Sequence, residues 1–464
     1  MKKWLCVVCG LIYDEAKGWP ADGIAPGTRW EDVPDDWKCP DCLVGKADFE
    51  MMEIRQDLQV EMPVLNVAQP QPVPFMNLEQ QPPIVIIGTG YAGYGLTEAL
   101  RQRDQQTPIV MFTADDGHHY SKPGLSTALT RQRDAAGLAT ETPLSLEARL
   151  NIRIHTRCPV YAIDARNKTL STASGELAYS KLVLAQGAAP IRLPLQGTGA
   201  SEVISINDLQ DYRLFRERLE GCKRVSIIGN GLIGCEFAND LVNAGIEVDV
   251  IGLSQWSMDR LIPQPVGEQL QSRLEARGVQ WHLGTTVTTV GHSGKGYRLT
   301  LENGEQIDTD MVLSAVGLKA RTELAEAAGA DVGRGIRING GLRTSLPDVF
   351  AIGDCAEING QLLPYLAPIN AGLPALADGL LGRPTMVHYP LMPVIVKTPA
   401  CPLTLQAPAA DLEGDWQIDQ TDRGTRALFI DAHQQLQGFV LTDELGSERQ
   451  YWLDRMGSAL EQVA

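Results

Sequence analysis

Four of the nine cysteines lie in two short pairs near the start of the chain, and their spacing suits metal binding. Two residues separate Cys6 from Cys9 and Cys39 from Cys42. This spacing lets a tight turn direct both sulfurs at one ion, and two such pairs complete a tetrahedral four-thiolate site for zinc or iron. The other five cysteines are scattered, and an odd total argues against a disulfide framework. A unit this small buries little apolar surface, so a metal is expected to hold it together.

Two glycine-rich segments, 141 residues apart, form the second chemical feature. Each follows an apolar strand-like run and opens a helix-like pattern, the context in which G-x-G-x-x-G predicts dinucleotide binding. The glycines allow a tight turn and let a pyrophosphate approach the N–H groups at the start of the helix. The first fingerprint comprises Gly88, Thr89, Gly90, Tyr91, Ala92 and Gly93, and the second has its glycines at Gly229, Gly231 and Gly234.

The strand after each fingerprint should end near the ribose of the bound nucleotide. After the first fingerprint, Asp115 is favoured over Asp116 as the ribose ligand, with Thr113 nearby. After the second, Gly252 stands where an acid would hold a 2′-hydroxyl, and the nearest arginine that could meet a 2′-phosphate is Arg260. NADH is preferred over NADPH because a basic cluster is absent.

The hydrophobic pattern predicts the strands and helices that position these residues. From about residue 83, strand-like runs alternate with helix-like patterns, which predicts parallel α/β sheets containing two dinucleotide-binding units. Upstream, prolines at 63, 70, 72, 74, 82 and 83 interrupt any helical or strand period, and clustered prolines favour extended, unpaired backbone. Residues 55–82 are therefore predicted to be a linker, with a helix over 55–61 as the alternative.

Composition excludes several classes of function. The 464 residues suggest roughly three domains. The net charge of −17 comes without a cluster of Lys and Arg, so nucleic acid binding is not expected. Apolar runs are strand-sized, far short of the ~20 residues that a membrane span needs, and the N-terminus lacks the apolar core of an export signal. We therefore expect a cytoplasmic protein without membrane insertion.

The charge is divided between the metal-binding unit and the rest of the chain. Residues 1–54 contain 6 basic and 11 acidic side chains, a net charge of −5, which leaves −12 for the remainder. Since both parts are acidic, gross opposite charge cannot bring them together. Docking of the two parts would require a local patch.

The first 54 residues also carry a pattern beyond the cysteines, and this segment resembles rubredoxin over its whole length. The matching motifs are KWxCxxCG at 3–10, YD at 13–14, GIxPGT at 23–28, WED at 30–32, PDDWxCPxC at 34–42 and KxxF at 46–49. The resemblance implies a mononuclear iron held by the four cysteines that exchanges one electron. A zinc ribbon used only for docking is the alternative.

Two later segments resemble the two-dinucleotide flavoprotein reductases, whose fold is glutathione-reductase-like. VFAIGD at 349–354 is similar to their late strand-turn, and SAVG at 314–317 is similar to their crossover between domains. The resemblance implies that the first fingerprint binds FAD and the second NAD(P)H, with Asp354 on the ribityl chain. Val160 and Gly317 are further expected cofactor contacts. Disulfide reductases of this fold carry a C-x₄-C pair after the second strand, and none stands here, so electrons should pass to a separate acceptor.

Two more segments indicate which group of these flavoprotein reductases the chain resembles. YSKPGLS at 120–126 is similar to the flavin-contact loop of ferredoxin- and rubredoxin-type reductases. It implies that Lys122 lies at flavin N5 and that Glu236 pairs with it, and these are the two predicted catalytic residues. Residues 392–402 resemble the start of the C-terminal domain of rubredoxin reductases, where Lys397 would stabilise the reduced flavin because a cation lowers the proton affinity of N1.

The whole chain is thus similar to a rubredoxin joined to a rubredoxin–NAD(+) reductase, a multidomain chain in which an iron knuckle fold precedes an α/β flavoprotein. The predicted domains are rubredoxin 1–54, linker 55–82, FAD-binding 83–191 and 309–386, NAD-binding 192–308, and a C-terminal α+β interface domain 387–464.

The implied activity is electron transfer from NADH through FAD to the iron. The electrons would then pass to a downstream protein such as a membrane-bound alkane hydroxylase, or to an oxygen-detoxifying chain. Two alternatives stay open from the residues: a flavin-dependent NAD(P)H reductase with a structural zinc ribbon, and a binding protein whose fingerprints are occupied but idle.

Overall fold

The computed structural model describes residues 2–6, 11–39, 45–46, 49–52 and 82–456. The predicted ligands Cys9 and Cys42 lie outside the described residues, as does the predicted linker except for its last residue.

The N-terminal unit is a small antiparallel sheet around an aromatic core. Its strands are β1 (Lys3–Cys6), β2 (Ile12–Asp14) and β3 (Phe49–Met52), in the order β2-β1-β3. Tyr13, Trp30, Trp37 and Phe49 are buried against one another, with 4.7 Å between the ring centroids of Trp30 and Phe49. This core is separate from the cores of the remaining chain.

The remaining chain alternates strands and helices, as predicted, before it ends in a β-rich segment. Its first part contains β4 (Ile84–Ile87), α1 (Tyr91–Arg101), β5 (Ile109–Phe112), β6 (His119–Tyr120), α2 (Ala135–Leu138), β7 (Ala139–Glu141), α3 (Pro143–Leu150), β8 (Arg153–His155), β9 (Val160–Asp164), β10 (Thr169–Thr172), β11 (Gly175–Ala178), β12 (Lys181–Leu184) and β13 (Ala188–Pro190). The second contains α4 (Leu209–Leu219), β14 (Arg224–Ile228), α5 (Leu232–Asn243), β15 (Glu247–Gly252), α6 (Gln264–Glu275), β16 (Val279–Leu283), β17 (Val287–Ser293), β18 (Gly296–Leu301), β19 (Gln306–Thr309) and β20 (Met311–Ser314).

The chain then returns to the first part and continues into the C-terminal segment. The returning elements are β21 (Leu318–Ala320), α7 (Glu323–Ala327), β22 (Ile336–Ile338), β23 (Val349–Ala351), β24 (Ala356–Ile358), β25 (Gln361–Leu362) and α8 (Leu366–Leu380). The C-terminal elements are β26 (Val394–Val396), β27 (Leu403–Gln406), β28 (Gly414–Thr421), β29 (Gly424–Asp431), β30 (Leu436–Thr442) and α9 (Arg449–Met456). Short 3-10 helices cover Pro20–Asp22, Trp30–Asp32, Lys122–Thr127, Ala200–Glu202 and Asp443–Glu448.

Two parallel sheets form the centre of the molecule. The first has the order β23-β12-β4-β5-β8, and the second has the order β16-β15-β14-β20. All four residues of β4 are buried, which explains its continuous apolar run, because a parallel strand is covered on both faces. Each fingerprint follows a central strand of its sheet and opens the next helix.

The return from the second sheet to the first lies slightly later than predicted. Strand β20 pairs in parallel with β14 and so completes the second sheet, and the predicted boundary at residue 309 is therefore too early. The chain crosses back at 315–317, within the segment that the sequence identified as the crossover. There β21 pairs antiparallel with β13, so the outward and returning connections lie side by side.

The C-terminal sheet packs against the second parallel sheet. Its order is β26-β27-β30-β29-β28, all antiparallel. Leu403, Leu405 and Val440 belong to the same buried cluster as the core of the second parallel sheet. Arg273 on α6 donates two hydrogen bonds to the carboxylate of Asp443, at 2.5 and 2.7 Å. The two parts therefore share one core, and an ion pair between Arg273 and Asp443 joins them at its edge. Within residues 82–456 and the described parts of the first unit, every helix is too short or too polar to cross a membrane.

Candidate active site

The two fingerprints form two cradles of matching geometry, the first cradle at 88–93 and the second cradle at 229–234. Gly88 and Gly229 have φ of +116° and +117°, and a Cβ there would lie 2.2 and 2.5 Å from a backbone oxygen of the neighbouring strand connection. By contrast, a Cβ at Gly90 or Gly231 would meet no atom within 4 Å. These two glycines begin α1 and α5 without a side-chain cap, so free space adjoins the N–H groups of both helices. Both cradles fit a pyrophosphate.

The strand after the first cradle ends in a hydrogen-bonded carboxylate. Asp115 Oδ1 accepts hydrogen bonds from the Thr113 hydroxyl at 2.6 Å, the Thr89 hydroxyl at 3.3 Å and the Gly117 N–H at 2.9 Å. The Asp115 carboxylate is thus tied to the first cradle through Thr89 and held at the carboxyl end of β5. This position suits the predicted contact with a ribose, which stays a prediction.

Other predicted cofactor residues surround the first cradle. Tyr91 donates a hydrogen bond from its hydroxyl to Asn370 Oδ1 at 2.8 Å, which joins α1 to α8. Ala92 is buried, and a Cβ at Gly353 would lie 3.1 Å from its side chain. The turn that carries Asp354 therefore abuts the start of α1. Val160 begins β9 and packs against the core of the first sheet.

Lys122 reaches Asp354, which follows β23 of the first parallel sheet. Its Nζ donates a hydrogen bond to Asn207 Oδ1 at 2.8 Å and lies 3.8 Å from Asp354 Oδ2. Burial lowers the pKa of Lys122, and the charge of Asp354 opposes this effect. Asn207 is itself held, because its side chain donates to the carbonyl of Ala188 at 3.1 Å. The structure thus brings two predicted flavin contacts, Lys122 and Asp354, into one site beside the first cradle.

Glu236 pairs with Lys397 and not with Lys122, so the predicted pairing is wrong. Lys397 Nζ donates to Glu236 Oε2 at 2.6 Å, and the Lys397 N–H donates to Oε1 at 3.0 Å. Ser126 donates its hydroxyl to the same Oε2 at 2.6 Å. Glu236 is fully buried and the Lys397 side chain is 7% exposed, so this is a closed ion pair. The reason is topological. Lys397 directly follows β26, which places its side chain against α5, whereas the side chain of Lys122 contacts Asn207 and Asp354 instead.

A second buried acid on the same helix holds the segment that follows Lys122–Thr127. Asp240 lies one turn after Glu236 on α5, and its two carboxylate oxygens accept the N–H groups of Leu129 and Thr130, each at 2.9 Å. Burial raises the pKa of Asp240, while these hydrogen bonds and the charge of Arg131 oppose the rise. Helix α5 therefore fixes residues 126–130 at two points, through Glu236 and through Asp240.

The second cradle explains the absence of an acid at its ribose position. A Cβ at Gly252, the last residue of β15, would lie 2.3 Å from the side chain of Asn230. This side chain is held in place because it donates a hydrogen bond to the Trp256 carbonyl at 3.1 Å. Asn230 thus fills the space that an acidic side chain at 252 would need. Gly317 follows β20 with φ of +108°, and its carbonyl accepts the Ile191 N–H at 3.1 Å in the crossover.

The N-terminal unit buries both described members of the predicted metal site. Cys6 and Cys39 have no exposed surface and lie in the cluster of Tyr13, Trp30 and Phe49. The Cys6 N–H donates a hydrogen bond to the carbonyl of Leu11 at 2.8 Å. The thiol chemistry and the dry aromatic surroundings fit a bound metal ion.

Three further cysteines are buried singly. Cys235, Cys355 and Cys401 have no exposed surface, and burial raises the pKa of their thiols to about 12, 11 and 11. Thiols with such pKa values are poor nucleophiles at neutral pH. These three thiols are therefore poor candidates for a redox relay.

Sequence reasoning missed Asn207, Ser126 and Asp240. Asn207 contacts Lys122 across 85 residues of sequence, and no local pattern marks it. Ser126 stands inside the motif at 120–126, but its partner is 110 residues away. A signal did exist for Asp240, which follows Glu236 by four residues in an apolar helix, so both acids point to the same buried side.

Comparison with known proteins decides the family. The model of the family described as pyridine nucleotide-disulphide oxidoreductase matches residues 82–377, well over half of the chain. The chain belongs to the pyridine nucleotide-disulphide oxidoreductase family. This oxidoreductase carries a second match, to rubredoxin, over residues 3–49, and a third, to the rubredoxin binding C-terminal domain, over residues 386–456. The resemblance to a rubredoxin joined to a flavoprotein reductase is thus confirmed.

Two relatives and one solved structure agree with the assignment to this oxidoreductase family. The rubredoxin-NAD(+) reductase of Alcanivorax borkumensis is 44% identical over 79% of this chain and 96% of its own. The nitric oxide reductase FlRd-NAD(+) reductase of Aeromonas salmonicida is 37% identical over 77% of this chain and 92% of its own. The crystal structure of the ferredoxin reductase for the CYP199A2 system from Rhodopseudomonas palustris covers 82% of this chain and 96% of its own, with a TM-score of 0.74 and 24% identity. That structure confirms the predicted fold.

Proposed function

We propose that this oxidoreductase is a rubredoxin–NAD(+) reductase that contains its own electron acceptor. NADH would deliver two electrons as hydride to FAD, and the iron of the N-terminal unit would take them one at a time. In the complete cycle, one NADH reduces two ferric centres to ferrous and is released as NAD⁺, with one proton. FAD supplies the change from a two-electron donor to a one-electron acceptor.

The observation that carries this proposal is a pair of dinucleotide cradles without a thiol relay. No cysteine occurs between Cys42 and Cys158, so the flavin-contact segment offers no disulfide. Cys235 and Cys355 are fully buried, with raised pKa values. The thiols of the N-terminal unit, including Cys39, are the ones with a metal-binding pattern. The electron acceptor on the same chain would therefore be the metal of that unit.

The residues that would hold each group can be named from the geometry. The first cradle, Asp115, Val160, Lys122 and Asp354 would hold FAD. The second cradle and Gly317 would hold NADH. Cys6, Cys9, Cys39 and Cys42 would hold the iron.

The side chains around the flavin-contact segment orient and do not react. Lys122 is steered by Asn207 and Asp354, which directs its ammonium toward the first cradle, where it would stabilise negative charge. Glu236 and Lys397 neutralise one another inside the protein. Their pair closes the junction between α5 and the C-terminal sheet and excludes water from it.

A visible spectrum combined with metal analysis tests the proposal. The purified chain should show flavin and ferric thiolate absorption with one iron per chain, and anaerobic NADH should bleach both. Cys39→Ser should abolish iron-dependent reduction of a one-electron acceptor while flavin reduction by NADH continues at the parent rate. Equal loss of both rates in this variant would contradict the serial order, and one zinc per chain without ferric absorption would identify a structural ribbon instead.

The terminal acceptor is proposed on the family resemblance. A membrane-bound alkane monooxygenase would take electrons from the iron unit. The nitric oxide reductase partner in the name of the Aeromonas salmonicida relative supports a second candidate, a chain that removes nitric oxide or oxygen. NADH oxidation by the purified chain should couple to alkane hydroxylation when membranes containing the hydroxylase are added. Coupling to nitric oxide consumption alone would favour the second candidate.

A further inference from the structure

The N-terminal unit contacts the reductase through Arg131. The Arg131 guanidinium donates a hydrogen bond from Nη2 to the carbonyl oxygen of Cys39 at 3.3 Å. Cys39 opens the second cysteine pair and its side chain is fully buried. The contact therefore reaches the backbone of a predicted iron ligand and not a peripheral part of the unit.

The segment that carries Arg131 is held rigidly on both sides. Before it, the N–H groups of Leu129 and Thr130 are bound by Asp240 of α5. After it, the carbonyl of Arg133 accepts hydrogen bonds from Arg216 at 2.8 Å and from the Tyr212 hydroxyl at 3.2 Å, both on α4. Residues 128–133, which we call the docking segment, are thus fixed to two helices.

The docking segment is also the continuation of the flavin-contact segment. It follows the 3-10 helix Lys122–Thr127 directly, and Ser126 in that helix is bound to Glu236. Glu236 and Asp240 lie one turn apart on α5. A single helix therefore anchors both the residues beside the first cradle and the residues that touch the iron unit, which sets one geometry between the two redox sites.

Local charge favours this contact although both parts are acidic overall. The docking segment contains Arg131 and Arg133 and no acid, whereas residues 31–39, which lead to Cys39, contain four acids and one lysine. Asp35 and Asp36, just before Cys39, are exposed. Among the described residues, the basic docking segment therefore contacts the N-terminal unit at Cys39, directly after this acidic stretch. This is the kind of local patch that the charge balance required.

We propose that the docking segment is the surface on which the N-terminal unit sits during electron transfer, and that Arg131 positions it by binding the Cys39 carbonyl. The proposal rests on the proposed function, since the transferred electron passes from reduced FAD to ferric iron. Reduction adds one negative charge to the iron–thiolate centre, so a neighbouring guanidinium also stabilises the ferrous form. Arg131 is a positioning residue that does not itself accept the electron.

The test uses the full chain loaded with FAD and iron, mixed anaerobically with NADH in a stopped-flow instrument. Arg131→Gln should leave flavin reduction at the parent rate and slow ferric bleaching by about tenfold, the loss expected for one charged hydrogen bond. Its iron midpoint, measured by spectroelectrochemistry, should shift to a more negative potential. Arg131→Lys, which keeps the charge, should restore most of the potential and part of the rate.

Added salt separates docking from a merely structural role. Ferric bleaching in the parent should slow as salt rises, and Arg131→Gln should be less sensitive, because the screened charge has been removed. Arg166→Gln is the matched control: this arginine is exposed on the turn between β9 and β10 and should leave both rates and the potential unchanged.

The outcomes distinguish this inference from the function on which it rests. Parent-like bleaching and potential in Arg131→Gln would overturn the inference while the proposed function stands. Equal slowing in Arg166→Gln would also overturn it. A parent chain whose iron NADH never reduces would refute the proposed function itself. If Arg131→Gln failed to retain FAD, Arg131→Lys would decide the matter: it should keep most of the parent midpoint but only part of the parent bleaching rate, and a fully parent-like bleaching rate would overturn the inference.

Discussion

Contacts between single side chains hold the region around Glu236 in place without any bound cofactor. The carboxylate of Glu236 receives three hydrogen bonds, two from Lys397 and one from Ser126. A buried ion pair of this kind contributes little net stability compared with an apolar pair, but removal of one partner leaves an uncompensated charge in the interior. The pair therefore makes the association of α5 with the C-terminal sheet specific.

Lys397→Met should be strongly destabilising because it leaves the Glu236 carboxylate buried without its cation. We expect a loss of about 3–5 kcal/mol, measured as a shift of the denaturant midpoint of the FAD-loaded chain. The double variant Glu236→Gln/Lys397→Met should be more stable than Lys397→Met alone. Arg298→Met is the control, since its ion pair with Asp308 is exposed and its loss should cost less than about 1 kcal/mol. A double variant as unstable as the sum of its singles would show that the two residues are not coupled.

At this scale, prediction from the sequence succeeded where a motif is local and failed where partners are distant. The contact of Thr113 with Asp115 falls within one strand–turn unit, whereas the contact of Thr89 with Asp115 spans 26 residues. The partner of Glu236 could not be predicted, because Lys122 and Lys397 are both lysines in plausible motifs. The choice between them depends on how β26 approaches α5, and no spacing in the sequence encodes that approach.

Among the elements, the two strand–glycine–helix units are the most predictable. Their buried strands, the strained first glycine and the open space at the second glycine follow from elementary geometry, and both units have the same shape. The end of the second unit was less predictable: β20 reads as an ordinary apolar strand, and only its pairing with β14 assigns it to the second sheet.

The open glycines at the two helix starts allow the cofactor assignment to be tested. Gly90 and Gly231 have extended backbone that alanine can adopt, with free space around them. A methyl group there would leave the protein fold intact and obstruct a pyrophosphate. Gly90→Ala should therefore lower FAD retention by more than about tenfold, measured by flavin release on gel filtration.

Gly231→Ala is the matched variant in the second cradle. It should raise KM for NADH with FAD content unchanged. Loss of FAD in Gly231→Ala with full retention in Gly90→Ala would reverse the assignment of the two cradles.

In the whole molecule, covalent connection changes the kinetics of the final transfer. The sequence predicts a linker over residues 55–82, and a short flexible tether would place the two sites at an effective concentration on the order of mM. Ferric bleaching by NADH should therefore be first order and independent of protein concentration over a tenfold dilution. Cleavage at a protease site introduced within 55–82 should make the rate fall in proportion to dilution. A bleaching rate that falls in proportion to dilution before cleavage would mean that the flavin of one chain reduces the iron of another.

The overall architecture could be predicted from motifs, but the relation between its parts could not. Each family resemblance covers one stretch of chain and says nothing about which surfaces meet. The contact between Arg131 and Cys39 joins residues 92 positions apart, and Arg131 carries no motif of its own. Only the folded arrangement brings the end of the docking segment to the second cysteine pair.

The cores differ at the two ends of the chain, and this determines where the protein can be re-engineered. The aromatic cluster around Trp30 belongs to the N-terminal unit alone, whereas Leu403 and Val440 complete a core begun by the second parallel sheet. The N-terminal unit can thus be replaced by another small redox domain without disturbing the core of the reductase. A chain truncated before β26 would instead expose to solvent the apolar surface of the second parallel sheet that the C-terminal sheet covers. Such a truncated protein should aggregate during expression.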